Sequence, residues 1–195
     1  MKAGKAMKVL ETAEKYTYTE YAALGEANRD TRYELIDGVI YFMSPGAAQP
    51  HQEINGNLFF QLRNFLEGKP CKVFHPPFDV CLNAQGDKDR TTVQPDIIVV
   101  CDKSKLDGKR CNGAPDLIIE VLSPSYKKHD MYVKLNVYLK AGVREYWIVD
   151  PDEKTASVHI LRDGKYTIDV FDEESVVPVY VLEGCEIDMK HVFKS

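Results

Sequence analysis

The stretch GAPDLIIEVLSPS, residues 113–125, is typical of a buried β-strand that nevertheless contains two carboxylates, Asp116 and Glu120. Because residues i, i+2 and i+4 of a strand line one face, both carboxylates should point the same way as Ile118. An unpaired glutamate is rarely buried in mid-strand, since removing its charge from water is unfavourable. The stretch therefore predicts a partner for Glu120, whereas Asp116 could equally begin the strand and stay in water.

A second stretch, QPDIIVV at residues 94–100, also enters an apolar strand through Pro-Asp. If the two strands are neighbours, Asp96 and Glu120 converge. Such a pair suits a hard divalent cation, because Mg²⁺ prefers oxygen ligands and is commonly held by one or two carboxylates plus a substrate phosphate. We therefore expect Mg²⁺ or Mn²⁺ as the cofactor, with Asp96 and Glu120 as its ligands. The alternative is that Asp96 also begins its strand in water.

The helix predicted for residues 127–141 has a lysine on its apolar side. At about 100° per residue, Lys134 falls near the middle of an arc of apolar side chains, with Asp130 one turn earlier and Tyr138 one turn later. A lysine in this position either extends along the surface to water or reaches a buried anion. The need of Glu120 for a partner favours the buried anion.

The rest of the chain predicts an α/β fold with a mixed β-sheet. Two-residue hairpin signals occur at Asp37-Gly38 and Asp163-Gly164, and apolar spacing indicates an amphipathic helix from His51 to Leu66. We expect a flexible segment at residues 1–16, followed by one domain over residues 17–195.

Composition limits the classes of function. With 44% hydrophobic and 28% charged residues, no apolar run of about 18 residues and no apolar signal segment at its start, the chain is expected to be cytoplasmic and not membrane-bound. Five cysteines without a C-x-x-C pair predict free thiols. The net charge of -5 argues against a generally basic nucleic-acid surface, although residues 127–144 are locally basic.

In order along the chain, these motifs resemble the Uma-type family of restriction endonucleases, in the PD-(D/E)xK nuclease superfamily. The resemblance covers roughly residues 17–182 and rests on the following elements: YELIDGVIYFMSP, a helix starting near His51, QPDIIVV, PDLIIEVLSPS, the D-x-x-x-K spacing of Asp130 and Lys134, Tyr138, and GVREYWIVDP. It implies a restriction endonuclease-like fold, with a central mixed β-sheet flanked by α-helices and added β-hairpins. It also implies a metal-dependent endonuclease that hydrolyses phosphodiester bonds in DNA.

The resemblance also assigns residues. Asp96 matches the aspartate of PD and Glu120 the acidic residue of (D/E)xK, but Leu122 stands where the superfamily has lysine. A lysine from the following helix, here Lys134, would repair this departure, and Glu34 would lie near the acidic cluster. For Glu34 a solvated strand face is an equal alternative. The secondary candidates are Asp116, His51, Tyr138 and Asp130.

Two expectations concern partners. The hairpin at 156–170 and the apolar run VVPVYVL at 176–182 offer strands for a homodimer, the commonest oligomer. The alternative to an endonuclease is a catalytically silent protein of nuclease fold that binds nucleic acid or a protein.

Overall fold

The computed structural model describes residues 9–10, 15–43, 48–123 and 128–194. Its longer helices are α1 (Tyr18–Ala27), α2 (Gln49–Phe65) and α3 (Lys128–Ala141), and a short α4 (Met189–Val192) lies near the end. The strands are β1 (Val9–Leu10), β2 (Tyr33–Ile36), β3 (Val39–Phe42), β4 (Lys72–Phe74), β5 (Asp79–Cys81), β6 (Thr92–Val93), β7 (Ile97–Val100), β8 (Arg110–Asn112), β9 (Leu117–Val121), β10 (Glu145–Asp150), β11 (Thr155–Arg162), β12 (Lys165–Phe171), β13 (Val176–Pro178) and β14 (Glu186–Asp188).

The central sheet has the strand order β12-β11-β10-β9-β7-β4. Strands β9 and β10 run parallel and are connected through α3, while the other neighbours in this sheet are antiparallel. The sheet is therefore mixed, and helices pack on it, which confirms the fold class predicted from the sequence.

The two faces of this sheet bury different helices, because side chains alternate along each strand. On one face Leu117 and Ile119 join a core with the α2 residues Leu58 and Leu62. On the other face, Ile118 packs in a core that includes Tyr138 of α3. Glu120 shares the parity of Ile118, so its side chain is directed to the α3 face.

A second six-stranded sheet, ordered β1-β3-β2-β6-β5-β8, was not predicted as a separate unit. Its hairpin turns at Asp37 and Gly38, whose φ values of 50° and 82° suit the predicted Asp-Gly turn. Strands β5, β6 and β8 are only two or three residues long, too short to leave a periodic pattern. Within residues 1–16, for which a flexible segment is predicted, Val9–Leu10 pair with β3.

One expectation was wrong. Cys71 and Cys101 form a disulfide across the neighbouring strands β4 and β7, whereas free thiols were expected. The free cysteines of the described residues, Cys81, Cys111 and Cys185, are buried. In the run at 176–182, Val176–Pro178 pair with Glu186–Asp188 of the same chain in a two-stranded sheet.

None of the helices within the described ranges combines the length and the apolar character that a membrane span requires.

Candidate active site

The antiparallel pairing of β7 with β9 brings the two predicted carboxylates together. Ile97 pairs with Ile119, so Asp96, one residue before β7, lies beside the carboxyl end of β9. Its Oδ2 accepts a hydrogen bond of 2.9 Å from the backbone N–H of Val121. Asp96 is thus fixed next to Glu120, as expected for neighbouring strands.

Lys134 of α3 lies between two carboxylates. Its Nζ is 2.9 Å from Oε1 of Glu120 and 2.9 Å from Oε1 of Glu34, and its side chain is only 3% exposed. The lysine therefore reaches a buried anion and does not extend to water. Glu34 comes from β2 of the second sheet and is itself buried, so the alternative of a solvated strand face was wrong.

Tyr138, one turn after Lys134 on α3, completes the environment of Glu120. Its hydroxyl donates a 2.7 Å hydrogen bond to the same Oε1 that accepts from Lys134. Burial, together with the charge of Glu120, raises the pKa of Tyr138 well above its usual value, so the hydroxyl stays a donor.

Glu120 has an unusual protonation equilibrium. Burial raises its pKa to about 7; the charge of Lys134 opposes this shift, while the charges of Asp96 and Glu34 add to it. Glu34 and Glu120 thus share one lysine, and the nearby charge of Asp96 leaves the cluster with more carboxylates than lysines.

His51, at the start of α2, contacts this cluster from the other side of the sheet. Its Nε2 lies 3.2 Å from Oδ2 of Asp96. Burial lowers the pKa of His51, but the hydrogen bond to Asp96 and the charge of that carboxylate outweigh burial, and the net shift is upward. Its Nδ1 is buried and has no hydrogen-bond partner among the described residues.

Asp116, another secondary candidate, does not join the cluster. Asp116 accepts hydrogen bonds from the backbone N–H of Cys101, at 2.8 Å, and from Nη1 of Arg144, at 3.0 Å. It therefore fastens the loop after β7 to the start of β9, at the opposite end of both strands. The side chain of Asp130 lies outside the part of the chain that the structure describes.

A cavity of about 1010 Å³ opens next to Asp96 and His51. Its walls come from α1, α2 and the loop containing Pro76 and Pro77. Glu120, Glu34 and Lys134 do not line it, but Glu120 lies close enough for the charge of Asp96 to raise its pKa. Asp96 is thus the acidic group through which the cavity meets the buried cluster.

Gln94 was not recognised as part of the site, although it directly precedes Pro95-Asp96. Its backbone N–H donates to Oε1 of Glu34 at 3.2 Å, and its side-chain amide donates to Asp79 at 2.8 Å. Its side-chain oxygen Oε1 accepts a hydrogen bond of 3.1 Å from Nη2 of the Arg32 guanidinium. The only signal in the sequence was its position before Pro-Asp, which does not reveal contacts with residues some 60 positions earlier.

The donor set fits a hard divalent cation only in part. Oδ1 of Asp96 and Oε2 of Glu120 accept no hydrogen bond from the described residues, which leaves them available as oxygen ligands. Yet no three histidine, cysteine, aspartate or glutamate side chains of the described residues are arranged to hold a metal. A cation here would need ligands from substrate or water as well, which is usual for Mg²⁺.

Comparison with known proteins identifies the family. A family model described as "Uma2: Putative restriction endonuclease" matches residues 18–190. The chain belongs to this family. The "Uncharacterized protein slr1290" of Synechocystis sp. is 30% identical to it over 119 residues, which are 61% of this chain and 60% of that protein. The match thus spans less than two thirds of the length of that relative.

A solved structure shows the same fold. The crystal structure of a putative nuclease belonging to DUF820 from Anabaena variabilis superposes with a TM-score of 0.66 at 23% identity, covering 83% of this Uma2 chain and 89% of the other. At this identity the likeness concerns the fold alone. In this Uma2 chain, Leu122 occupies the position of the superfamily lysine and packs among the apolar residues of the α3 face, while Lys134 reaches Glu120 from the helix.

Proposed function

We propose that the protein is a divalent-metal-dependent endonuclease that hydrolyses phosphodiester bonds in DNA. The observation that carries this proposal is the placement of Lys134, 2.9 Å from both Glu34 and Glu120, while Asp96, whose charge acts on Glu120, lines the cavity. Carboxylates and a lysine from four separate elements converge there although burying them is costly, which is a mark of functional sites.

Each side chain has a role that follows from its contacts. Val121 N–H and His51 hold Oδ2 of Asp96, which leaves Oδ1 to bind a cation. Lys134 and Tyr138 hold Oε1 of Glu120 and leave Oε2 for the same purpose. When bound, Mg²⁺ or Mn²⁺ supplies positive charge to the scissile phosphate and makes water a stronger acid. Lys134 keeps Glu34 and Glu120 at a fixed separation and can orient the attacking water or stabilise developing negative charge.

The test is cleavage of supercoiled plasmid with Mg²⁺ or Mn²⁺ by the wild type and by Glu120→Gln, a variant of nearly the same shape. The wild type should nick or linearise the plasmid, and Glu120→Gln should lose activity by about 100-fold or more. Equal activity of the two proteins would contradict the proposed site.

One observation favours a second candidate, a catalytically silent nuclease-fold protein. Lys134 is held by the carboxylate oxygens of Glu34 and Glu120, and no ready-made metal cluster occurs within the described ranges. Such a protein would bind nucleic acid or a protein partner but would not cut. Calorimetric titration with Mn²⁺ distinguishes the endonuclease from the silent protein. The endonuclease must bind Mn²⁺ and lose this binding in Glu120→Gln, whereas the silent protein need not bind the ion at all.

The proposal includes a homodimer and a cytoplasmic location. Strand β12 is at the edge of the central sheet, and Ile168 and Val170 on it are 56% and 65% exposed. Antiparallel pairing of two β12 edges would cover these side chains around a two-fold axis. Light scattering should give twice the chain mass of 22.2 kDa, and Val170→Lys should give the monomer. A wild-type monomer at micromolar concentration would exclude the dimer, and cell fractionation tests the location.

A further inference from the structure

Two glycines inside helices line the cavity next to Asp96. Gly25 lies in α1 and Gly56 in α2, so they belong to different walls. Eight other glycines lie within the described ranges. All eight have positive φ values, a backbone conformation that favours glycine over other residues. Gly25 and Gly56 are not among them.

Packing does not explain these two glycines either. A Cβ added at Gly25 or Gly56 would meet no heavy atom within 4 Å. Glycine inside a helix is destabilising relative to alanine, because it loses more backbone freedom on folding. Both residues therefore weaken their helices without a benefit to the free protein, and both leave extra room on the same cavity.

A buried polar side chain gives independent evidence for a ligand. His51 lines the cavity and is 8% exposed, and its Nδ1 has no hydrogen-bond partner among the described residues. Asn55, one helical turn later on α2, also lines the cavity, and its Oδ1 lacks a described partner as well. Buried polar atoms without partners are rare in native proteins, and each of these two side chains would have to turn toward the cavity to offer that atom to a ligand.

The chemistry of the rim indicates which ligand. Arg29 and Arg32 lie on the α1 side, where they can contact phosphates. On the α2 side, the rings of Phe59 and His75 are 4.9 Å apart in an edge-to-face arrangement. Cationic and aromatic side chains along one groove are the combination used to bind unpaired strands, because arginine holds the backbone and aromatic rings stack on bases.

The cavity suits an unpaired strand better than an intact duplex. Proteins usually read duplex DNA by inserting a helix or a strand pair into a groove, whereas here the protein itself is concave around Asp96. We therefore expect the phosphate that reaches Asp96 to come from a strand that has left its partner, as in enzymes that extrude nucleotides.

We propose that the cavity binds one unpaired strand of DNA, whose backbone passes between Gly25 and Gly56 and brings a phosphate to Asp96. This inference rests on the proposed endonuclease function and specifies its substrate. Glu26 and Asp79 also line the cavity, and Arg29 and Arg32 supply two positive charges that offset theirs. Hydrogen bonds from Tyr18, Tyr21 and Gln94 hold the carboxylate of Asp79 in place.

The decisive variant is Gly56→Leu, which adds a side chain to the cavity wall at a position where a Cβ meets no heavy atom within 4 Å. Asn64→Leu is the matched control, since Asn64 is an exposed residue of the same helix outside the cavity. Binding is measured by fluorescence anisotropy in Ca²⁺ with labelled oligothymidine of roughly 12 nucleotides, a blunt duplex and oligouridine. Thermal unfolding is measured in parallel.

The wild type and Asn64→Leu should bind the single DNA strand at least about 10-fold more tightly than the duplex. Gly56→Leu should lose at least about 10-fold in affinity for the strand, while its melting temperature equals or exceeds that of the wild type. Arg29→Gln should lower the slope of log affinity against log salt by about 0.7.

Three results would overturn the inference: equal binding of duplex and single strand, wild-type affinity in a folded Gly56→Leu, or binding of oligouridine without oligothymidine. These results differ from a failure of the proposed function. If the wild type binds the strand but never cuts it, the endonuclease proposal is contradicted and the strand-binding site is supported. If Gly56→Leu still binds and cuts like the wild type, the strand-binding site is contradicted and the endonuclease proposal is supported.

Discussion

The two Pro-Asp dipeptides of the central sheet look alike in sequence but have different surroundings. Asp116 accepts hydrogen bonds from Cys101 N–H and from Arg144, which is largely exposed, and so it fastens a loop. Asp96 presents one oxygen to Val121 N–H and His51 and lines a cavity in front of Glu120. The difference arises because β7 and β9 are antiparallel, so residues that begin each strand lie at opposite ends of the pair.

The role of each Pro-Asp dipeptide therefore depends on its neighbours across the sheet. Only the Asp96 end lies beside a buried glutamate, a helix lysine and a third carboxylate from the second sheet. At the Asp116 end, a single carboxylate has a single, exposed cation. The two ends should therefore respond very differently when their cations are removed.

The largest expected effect is on stability. Lys134→Met leaves Glu34 and Glu120 buried without their cation, and should lower the free energy of unfolding by about 3–5 kcal/mol. Arg144→Met removes the exposed partner of Asp116 and should cost less than about 1 kcal/mol. Urea denaturation at pH 7 measures both. Similar losses in the free energy of unfolding would show that the two ends do not differ. As a control, adding Glu34→Gln and Glu120→Gln to Lys134→Met should recover much of the stability, because no charged carboxylate is then left buried without its cation.

A smaller effect concerns pH in the absence of divalent ions. The pKa of Glu120 is about 7 in the folded protein and near its ordinary value of 4.5 when unfolded. Between these values only the folded state holds the proton, so the free energy of unfolding should fall as pH rises from 4.5 to 7, by at most on the order of 3 kcal/mol. Glu120→Gln should reduce this slope. Identical pH profiles for the two proteins would show that Glu120 does not titrate in this range.

The smallest effect is expected for Tyr138→Phe. It removes the 2.7 Å hydrogen bond to Glu120 but keeps the ring packed against Tyr146, so the loss should be about 1–3 kcal/mol. If Tyr138 orients Glu120, Mn²⁺ affinity measured by calorimetry should also fall. A change in stability with unchanged Mn²⁺ affinity would show that Tyr138 stabilises the fold but does not orient Glu120.

Much of the central sheet and part of the site could be predicted from the sequence. The alternation around Glu120 and the Asp-Gly turns are local signals, and the position of Lys134 on the apolar side of α3 required only helical geometry. Together they predicted that Lys134 would reach Glu120, which the structure shows at 2.9 Å.

Contacts between distant segments could not be predicted in the same way. The burial of Glu34 depends on how the second sheet packs against α3, and the bond from Gln94 N–H to Glu34 joins residues 60 positions apart. The Cys71–Cys101 disulfide follows from the register of β4 and β7, which the spacing of the cysteines does not encode. The sequence predicted that Asp96 and Glu120 converge if their strands are neighbours, but it did not specify the antiparallel pairing that places Asp116 at the opposite end.

The most direct test of the central claim is calorimetric titration of Mn²⁺ into Asp96→Asn and Asp116→Asn, with plasmid cleavage measured on the same samples. Both substitutions keep size and shape, and circular dichroism confirms folding. We predict that Asp96→Asn loses Mn²⁺ binding and at least about 100-fold in cleavage, while Asp116→Asn retains both. Wild-type Mn²⁺ binding in Asp96→Asn, or equal losses in a folded Asp116→Asn, would contradict the assignment of the active site to the Asp96 end of the sheet.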